Sequence, residues 1–369
     1  MLSRSIVVQS LRSIRDRFFD TRRHRNEQSD GPSDDVVGAS LDNLSVDMQF
    51  LIMTFLSPQD LCRLGGTSTY WRSMVRDPVL WKYFLLRDLP LWQSVDHLSL
   101  PRVKLNSSAV LEDSEMQFDY MAEYLRVCPA CRNQWRHQPR AAFESVTSFF
   151  QSFVPVAEPQ FAMFGPGLEQ LEVSLMNVMM NSPEILPIAG IPQRQIDGIG
   201  SGISFKYKDQ HRFNIATLYS NNRMERERAR LEHLSLRSKI FVYEEDSESN
   251  VPASLNPMFN QVCQAVNGFI FVANAETERG MDKSWEEESA QIRVMLEPAV
   301  GTASRPVLVL SCMSRETPDG HRIHCVTVAH QLQLSSLVNP WMVQDTTAET
   351  LTGLLDGIDW LLRHSGVKL

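Results

Sequence analysis

Residues 41–84 read LDNLSVDMQFLIMTFLSPQDLCRLGGTSTYWRSMVRDPVLWKYF, and this stretch decides the fold of the N-terminal part of the chain. Apolar residues recur at helical spacing from Leu44 to Phe55, which predicts a first helix with an apolar face. Ser57-Pro58 then ends that helix, and Asp60 stands where an N-cap or first-turn acid would begin a second one.

Two further breaks divide the rest of this stretch. Gly65-Gly66 is expected to end the second helix, and Asp77-Pro78 opens another turn before Leu80 and Trp81. The pattern therefore predicts three short helices joined by tight turns. A module of this size buries too little apolar surface to be very stable alone, so we expect several of its large apolar side chains to face a partner.

The stretch closely resembles the F-box pattern, and several fixed spacings carry the resemblance. The matching residues are Leu41 and Leu44 for the leading leucine pair, Pro58, Asp60 and Leu61 for S-P-x-D-L, Ser68 and Trp71 for S-x-x-W, and Asp77, Pro78, Leu80 and Trp81 for D-P-x-L-W. Ser45 departs from the proline that is usual at its position. Resemblance to the F-box family implies docking onto a Skp adaptor, which links such chains to a cullin scaffold and a RING subunit.

The contacts with the adaptor are expected among apolar anchors that a polar rim surrounds. The candidate adaptor-binding residues are Leu41, Leu44, Ile52, Leu56, Pro58, Leu61, Leu64, Trp71, Leu80 and Trp81. Some of them must instead form the core of the module, and the sequence leaves open which ones do.

The composition of the 369-residue chain is that of an ordinary globular protein, with 43% hydrophobic and 22% charged residues. A net charge of −8 argues against a general nucleic-acid binder. No apolar run approaches the roughly 18 residues of a membrane helix, so we expect no membrane partner. Six cysteines without regular spacing favour a reducing compartment. We expect the chain in the cytoplasm, with the nucleus as a second location.

The first 25 residues are basic, with seven arginines and two aspartates. Ile6, Leu11, Ile14 and Phe18 would share one face of a helix there. Three interpretations stay open: a mitochondrial-type targeting segment, an amphipathic helix for docking or homodimer formation, and a disordered tail.

Shifts in composition divide the chain into four parts. The predicted domains are the basic segment and polar linker at 1–39, the F-box at 40–84, a helical linker at 85–158, and a β-rich domain at 159–369. Within the linker, Cys128-Pro-Ala-Cys131 and His137 invite a zinc interpretation. A structural zinc site would need a fourth ligand at suitable spacing, so we predict ordinary thiols and no metal.

Short β-rich runs alternate with helices beyond Pro159, which predicts a parallel α/β sheet. The predicted strands are Phe161–Gly165, Gly202–Tyr207, Phe213–Tyr219, Gly268–Asn274, Pro306–Ser311 and Met342–Asp345, and the predicted helices are Leu168–Met180, Arg223–Lys239, Trp285–Leu296 and Glu349–Arg363. Thr346-x-x-Glu349 fits a capping box for the last helix. The order resembles the small GTPase family, and residues 340–362, PWMVQDTTAETLTGLLDGIDWLL, resemble the terminal strand and helix of its Arf-type members.

The expected fold class is α+β multidomain, with a three-helix F-box and helical linker before a small-GTPase-like α/β domain. The residues that bind a nucleotide are missing from that domain. The first strand leads into FGPGLEQL without Gly-Lys-Ser/Thr, Pro166 has no N–H for a phosphate, and Glu169 adds negative charge. Leu218–Asn222 replaces Asp-x-x-Gly, and Ser311–Ser314 replaces Asn-Lys-x-Asp. We expect no GTP binding, no cofactor and no enzymatic activity; a divergent GTPase is the enzyme alternative.

Arg322–Val328 (RIHCVTV) is the candidate client surface. Its β-branched residues lie beside the far edge of the predicted sheet, where an edge strand offers unpaired backbone groups to a partner. The Arf-type resemblance instead makes His324–Leu334 a helix. In either case Cys325, Val326 and Ala329 are the predicted client-binding residues.

An F-box joined to a GTPase-like domain without nucleotide chemistry resembles one kind of F-box protein, the substrate receptor of an SCF-type (Skp adaptor–cullin–F-box) ubiquitin ligase. The resemblance implies that the second domain binds a folded client for polyubiquitination and proteasomal degradation. The implied clients are a telomere-repeat-binding factor and a D-type cyclin. The alternative is a scaffold that uses its F-box outside a ligase.

Overall fold

A computed structural model describes residues 41–102, 118–136, 158–190, 202–208, 211–218, 240–243, 252–276, 285–297, 305–316 and 322–366. The chain forms two compact units, with Met1–Leu91 and Pro101–Gln138 in unit 1 and Trp92–Leu100 and Pro139–Leu369 in unit 2. The predicted basic segment at 1–39 and the predicted charged helix Arg223–Lys239 lie outside the described residues.

Unit 1 is helical throughout its described residues. Its helices are α1 (Val46–Phe55), α2 (Pro58–Thr67), α3 (Thr69–Val75), α4 (Pro78–Asp88), α5 (Tyr120–Val127) and α6 (Pro129–Arg136), with 3-10 turns at Leu41–Asn43 and Leu89–Leu91. The predicted break at Gly65-Gly66 is wrong, because α2 continues through both glycines. Gly65 is buried, and a Cβ there would lie 3.6 Å from Val75 of α3, so close helix packing explains the small residue.

Three polar residues of the F-box pattern begin helices. The Ser57 hydroxyl accepts a hydrogen bond from the Asp60 amide (3.2 Å), and the Ser68 hydroxyl accepts one from the Trp71 amide (3.1 Å). Asp77 accepts from the amide of Val79 over 2.8 Å. Each side chain satisfies an amide that would otherwise lack a partner in the first helical turn. The fixed spacings of the pattern are therefore, in large part, the spacings of helix caps.

The core of unit 1 is aromatic and joins α4 to α5. The Trp81 ring lies 5.8 Å from that of Phe84 and 5.4 Å from that of Tyr124, measured between ring centroids. The indole Nε1 of Trp81 donates to the Val75 carbonyl over 2.6 Å, and Tyr124 donates to the Asp88 carboxylate over 2.5 Å. Tyr124 thus extends the helical module beyond the predicted F-box boundary at residue 84.

Unit 2 is built on an eight-stranded, mostly parallel sheet. Its strands are β1 (Ser94–Asp96), β2 (Gln160–Phe164), β3 (Ile188–Gly190), β4 (Ile203–Tyr207), β5 (His211–Thr217), β8 (Gly268–Asn274), β9 (Val307–Met313) and β10 (Trp341–Thr347), and β6 (Phe241–Tyr243) with β7 (Pro252–Leu255) forms a separate hairpin. The order across the sheet is β1-β10-β9-β8-β2-β5-β4-β3, with antiparallel pairs at β1–β10, β3–β4 and β4–β5. The predicted α/β fold of the second domain, built on a mostly parallel sheet, is confirmed.

Helices cover both faces of this sheet. They are α7 (Gly167–Gln170), α8 (Leu175–Asn181), α9 (Pro257–Ala265), α10 (Trp285–Leu296), α11 (Cys325–Gln331) and α12 (Leu354–His364), with a 3-10 turn at Leu334–Ser336. Every residue of β8 and β9 is buried, as expected for central strands of a doubly covered parallel sheet. No helix among the described residues is long and apolar enough to cross a membrane.

Two predicted helices have different bounds in the structure. The helix expected over Leu168–Met180 is divided into α7 and α8 by residues 171–174. The capping box at Thr346 is wrong, because Thr346 lies inside β10 and α12 begins only at Leu354. Gly353 precedes that helix with a φ of 80°, a left-handed conformation that glycine adopts readily.

Residues 92–100 belong to unit 2 and contain the strand β1, which differs from the helical linker predicted for 85–158. Here β1 pairs antiparallel with β10, with Val95 opposite Val343. The Asp345 amide donates to the Gln93 carbonyl over 2.7 Å, and the His97 amide donates to the Trp341 carbonyl over 2.9 Å. The segment that follows the F-box thus supplies the edge strand of the second unit.

Candidate functional site

Helix α1 has two apolar faces. Val46, Phe50 and Met53 are buried in unit 1. Met48 (47% exposed) and Phe55 (82% exposed) lie on the opposite face. A helix that is apolar all round requires a second surface to cover its outer face. We call the outer apolar surface of the segment 41–55 the α1 face; it comprises Leu41, Leu44, Met48, Leu51, Ile52 and Phe55.

The buried amide of Gln49 positions the start of the α1 face. Its Nε2 donates to the Leu41 carbonyl over 2.9 Å, and its Oε1 accepts from the Tyr70 hydroxyl over 2.5 Å. The 3-10 turn that carries Leu41 is thereby tied to α1 and α3. Because a buried amide without partners is costly, these bonds fix the turn and leave Leu41 and Leu44 exposed on the surface.

The other end of the α1 face is closed by Arg87 from α4. Its Nη1 donates to the Thr54 carbonyl over 2.9 Å, and its guanidinium lies 4.4 Å from the centroid of the Phe84 ring. The hydrogen bond from Arg87 to Asp88 raises the pKa of Arg87, so the guanidinium stays charged. This arrangement places a cation at the C-terminal end of α1, as part of a polar rim.

The structure divides the ten predicted adaptor-binding residues into two groups. Leu61, Trp71, Leu80 and Trp81 are buried in the core of unit 1, so they support the fold and offer little accessible surface. The accessible members are the exposed Leu41 and Leu44 and the half-buried Ile52, Leu56, Pro58 and Leu64. Burial of the core group explains why large apolar residues at fixed spacing do not by themselves indicate a partner.

Sequence reasoning omitted Met48 and Phe55 from the candidate site. Both belong to the helical repeat that begins at Leu44, so the periodicity contained the signal. The repeat could not indicate that one apolar face of α1 is buried in unit 1 and that the opposite face is exposed. That distinction depends on where α3 and α4 pack, which is a tertiary property.

Relatives of the chain cover most of its length. A family model described as F-box-like matches residues 46–87. The protein named F-box only protein 4 from Bos taurus is 50% identical over 333 residues, which is 89% of this chain and 85% of that protein. Its Homo sapiens namesake is 49% identical over 333 residues, with the same coverage of both chains. The Mus musculus protein of that name is 48% identical over 329 residues, 88% of this chain and 84% of its own.

The chain belongs to the F-box only protein 4 family. Among solved structures, the Arl6 BBS3 small GTPase from Trypanosoma brucei with bound nucleotide analogue GppNp is similar to 57% of this chain and 98% of its own length. That match has 12% identity and a TM-score of 0.35. The α/β fold of unit 2 follows from its own strand order.

In this F-box protein, the loop after β2 packs against β8. A Cβ added to Gly165, whose φ is 121°, would lie 2.6 Å from the Val272 carbonyl oxygen. A Cβ added to Gly167 would lie 2.7 Å from the Val272 Cγ1. Both glycines therefore allow the loop to approach β8 closely. Pro166 between them has no N–H with which to bind a phosphate.

Polar side chains at the carboxyl ends of β8 and β9 bind groups of the same chain. Asn274 donates to the Gln170 side chain over 3.2 Å. The hydroxyl of Ser314 accepts from the Glu172 amide over 3.0 Å, and the Ser314 amide donates to the Glu276 carboxylate over 2.9 Å. Ligands of open α/β sheets bind beside these strand ends. Here Asn274 and Ser314 are hydrogen-bonded within the chain.

The predicted client surface is a helix, α11, and its three predicted contact residues are buried. Cys325 and Ala329 have no exposed surface, and Val326 is 8% exposed. The helix packs on β1 and β10, which directs these side chains toward the sheet. The expectation that they contact a client directly is therefore corrected. Strand addition at β10 is also excluded, because β1 occupies that edge.

Proposed function

We propose that this chain is the substrate-receptor subunit of an SCF-type ubiquitin ligase. The observation that supports the proposal most strongly is the α1 face, an exposed apolar stripe within the region that matches the F-box-like family model. Its proposed occupant is a Skp adaptor, through which a cullin scaffold and a RING subunit join the complex.

The chemistry of the α1 face supports a protein partner. Phe55 and Met48 are large, exposed and apolar, and Met side chains adapt to irregular partner surfaces. The cation of Arg87 lies at the end of α1, on the Thr54 carbonyl. Apolar anchors with a charged rim are typical of protein interfaces whose binding energy is concentrated in a few residues.

We further propose that unit 2 binds the client as a folded protein and binds no GTP. Support comes from the carboxyl ends of β8 and β9, where Asn274 and Ser314 are hydrogen-bonded within the chain. Because the polar groups at these strand ends are bonded within the chain, we propose that the outer surface of unit 2 recognises the client. A telomere-repeat-binding factor and a D-type cyclin are the proposed clients, from the family resemblance.

Adaptor binding is tested with the substitution Phe55→Asp in the full chain. A charge at this exposed position leaves the fold intact and places a carboxylate in an apolar interface, so we expect a roughly 100-fold loss of affinity for a purified Skp adaptor. Isothermal titration calorimetry measures the dissociation constant of the complex. The matched control is Val338→Asp in unit 2, also a highly exposed apolar position (94%), which is expected to bind like the wild type.

Equal adaptor affinity for Phe55→Asp and Val338→Asp would refute the α1 face as the docking surface. Trp81→Ala is unsuitable for this test, because Trp81 is fully buried and its removal costs roughly 3–5 kcal/mol of stability. Loss of adaptor binding in that variant would report unfolding. The GTP proposal is tested separately, since micromolar GTP binding by the intact chain in the presence of Mg²⁺ would contradict it.

A further inference from the structure

Ser57 lies in the short extended segment that joins α1 to α2. Its backbone has φ −72° and ψ 156°, and Leu56 before it has φ −80° and ψ 153°. Pro58 follows as the first residue of α2, and the ring of a proline holds the preceding residue in an extended conformation. Ser57 is exposed to solvent, so its hydroxyl is accessible to another protein.

The Ser57 hydroxyl is bonded to the first turn of α2. It donates to the Asp60 carboxylate over 2.7 Å and accepts from the Asp60 amide over 3.2 Å. Arg63 donates to the other carboxylate oxygen of Asp60 over 2.9 Å. The hydrogen bonds from Ser57 and Arg63 lower the pKa of Asp60, so its carboxylate is charged at neutral pH. Ser57 therefore caps a helix and has an ionised acid as its neighbour.

Apolar residues of the proposed docking surface flank Ser57 on both sides in the sequence. Phe55, which belongs to the α1 face, is 82% exposed. Leu56 and Pro58, directly before and after Ser57, are half-buried and are among the accessible candidates for adaptor contact. A small neutral hydroxyl is compatible with burial between such side chains when it is hydrogen-bonded. A large charge on Ser57 would instead enter the region where the adaptor is proposed to bind.

Ser57-Pro58 is also the dipeptide that proline-directed serine/threonine kinases modify. Two more dipeptides of this type occur in the chain, Ser182-Pro183 and Thr317-Pro318. Of the three, only Ser57-Pro58 lies within residues 46–87, which match the F-box-like family model. A phosphate at this dipeptide would therefore act on the docking surface, and the other two dipeptides serve as internal comparisons.

We propose that Ser57 is a phosphorylation site, and that a phosphate on its hydroxyl releases the chain from its Skp adaptor. The inference rests on the proposed binding of the adaptor by the α1 face, and it adds a means of regulating that binding. It follows from the exposure of Ser57, its hydrogen bonds to Asp60 and its position between apolar docking residues.

The modification is a phosphoryl transfer from ATP. In the kinase, the Ser57 hydroxyl oxygen attacks the γ-phosphorus of Mg²⁺-bound ATP, and the bond from that phosphorus to the β–γ bridging oxygen breaks. ADP leaves, and the hydroxyl proton passes to the catalytic aspartate of the kinase. A phosphatase reverses the change, since water attacks the phosphorus and returns the serine and inorganic phosphate.

The phosphate is expected to disfavour the complex more than the free chain. In the free chain it would lie at the N-terminus of α2, where helix amides and the largely exposed Arg63 guanidinium favour an anion. The bond from the Ser57 hydroxyl to Asp60 is lost, but the Asp60 side chain is 48% exposed and can turn toward water. In the complex, the dianion would instead be desolvated among apolar side chains.

The direct test compares two forms of the full chain, with serine or with phosphoserine installed during translation at position 57. We expect phosphoserine to weaken the binding of a purified Skp adaptor roughly 100-fold, as measured by isothermal titration calorimetry. Phosphatase treatment should restore the affinity. Far-UV circular dichroism should be the same for both forms. Equal adaptor affinity, or a loss of helix in the phosphorylated form, would overturn release by local charge.

A second experiment treats the full chain with a mitogen-activated protein kinase and MgATP. We expect mass spectrometry to place a phosphate on Ser57, with the same loss of adaptor affinity. The control is Ser57→Asn, because asparagine also caps helices but accepts no phosphate from this kinase. Its adaptor affinity should be the same before and after treatment, although Ser182 and Thr317 remain in the chain. Absence of phosphate from Ser57, or a loss of affinity in treated Ser57→Asn, would contradict the inference.

Failure of the proposed function would give a different result from failure of this inference. If the unmodified chain does not bind the adaptor, the docking surface itself is refuted, and the regulation with it. If the unmodified and phosphorylated forms bind the adaptor equally well, the docking surface stands and only the regulatory role of Ser57 is refuted.

Discussion

Among single residues, Asp345 on β10 has a mostly buried carboxylate 3.6 Å from the Arg322 guanidinium. Burial raises the pKa of Asp345 from the usual 3.8 to about 6, more than the Arg322 charge and hydrogen bonds lower it. The folded protein therefore binds this proton at a higher pH than the unfolded chain does. Because the folded state holds more protons between about pH 4 and 6, the contribution of Asp345 to stability increases as the pH falls through that range.

The variant Asp345→Asn should lose this pH dependence. We expect the wild type to gain about 1–3 kcal/mol relative to Asp345→Asn between pH 7 and pH 4.5. Urea unfolding at a series of pH values measures the difference. Asp356→Asn, which changes an exposed carboxylate of the same unit, is the matched control. Parallel stability curves for the wild type and Asp345→Asn would show that burial of Asp345 has no such effect.

The sequence predicted that the residues of the F-box pattern form a helical module. It did not predict which other residues each of them contacts. Ser68 and Asp77 cap helices, as their residue types and positions suggest. Leu61 and Leu44 are both leucines at helical spacing, yet Leu61 is fully buried and Leu44 is 36% exposed. Apolar character indicates removal from water, and it does not specify whether the core or a partner does the covering.

At the scale of elements, α12 depends on the glycine that precedes it. A Cβ at Gly353 would lie 2.1 Å from the Asp345 carbonyl oxygen, and the φ of 80° adds strain. Gly366, which follows the helix, has a similar φ of 89° but no atom within 4 Å of such a Cβ. We expect Gly353→Ala to cost about 3–5 kcal/mol and Gly366→Ala about 1–2 kcal/mol, because only the first adds a clash to the strain.

Thermal unfolding of the two glycine variants separates clash from strain. The melting temperature of Gly353→Ala should fall well below that of Gly366→Ala. Similar melting temperatures would mean that the loop before α12 relaxes to accommodate the methyl group, and that its close approach to β10 is not required.

The edge strand β1 should protect β10 from exchange with solvent. Val95 is buried opposite Val343, so Val95→Asp would place a carboxylate in an apolar contact and detach β1. We expect hydrogen exchange of the Asp345 amide, which donates to Gln93, to accelerate by at least about tenfold. Leu98→Asp, at an exposed site (57%) of the same segment, should leave that amide protected. Unchanged exchange in Val95→Asp would contradict the role of β1.

Helices and strands could be predicted where the apolar pattern is long and regular. The prediction was less reliable for short segments in which apolar and polar residues are mixed. The buried run Gly268–Asn274 and the helix Trp285–Leu296 have the predicted bounds. Arg322–Val328 has strand-like β-branched residues, yet residues from Cys325 onward form α11. Packing on β1 and β10 outweighs the weak intrinsic preference of so short a run. The pairing of β1 with β10 joins residues far apart in sequence, which local patterns do not record.

At the scale of the whole molecule, the missing nucleotide motifs could be recognised from the sequence because phosphate binding requires particular residue types. The intrachain hydrogen bonds at the carboxyl ends of β8 and β9 could not be recognised from the sequence. Ser314 binds the Glu172 amide only because the fold brings two distant loops together. The chain therefore combines an F-box with an exposed α1 face and an α/β unit whose ligand edge is internally bonded, which is the basis for proposing a receptor.

Client turnover tests the central claim that this chain is a substrate receptor. The full-length wild type and the Phe55→Asp variant are expressed in matched cells, and captured proteins, their ubiquitination and their half-lives are compared with and without proteasome inhibition. We expect both forms to capture the same folded client, since unit 2 is unchanged. Only the wild type should polyubiquitinate it and shorten its half-life. Equal ubiquitination and equal half-life of every captured protein in the two cell lines would contradict the account.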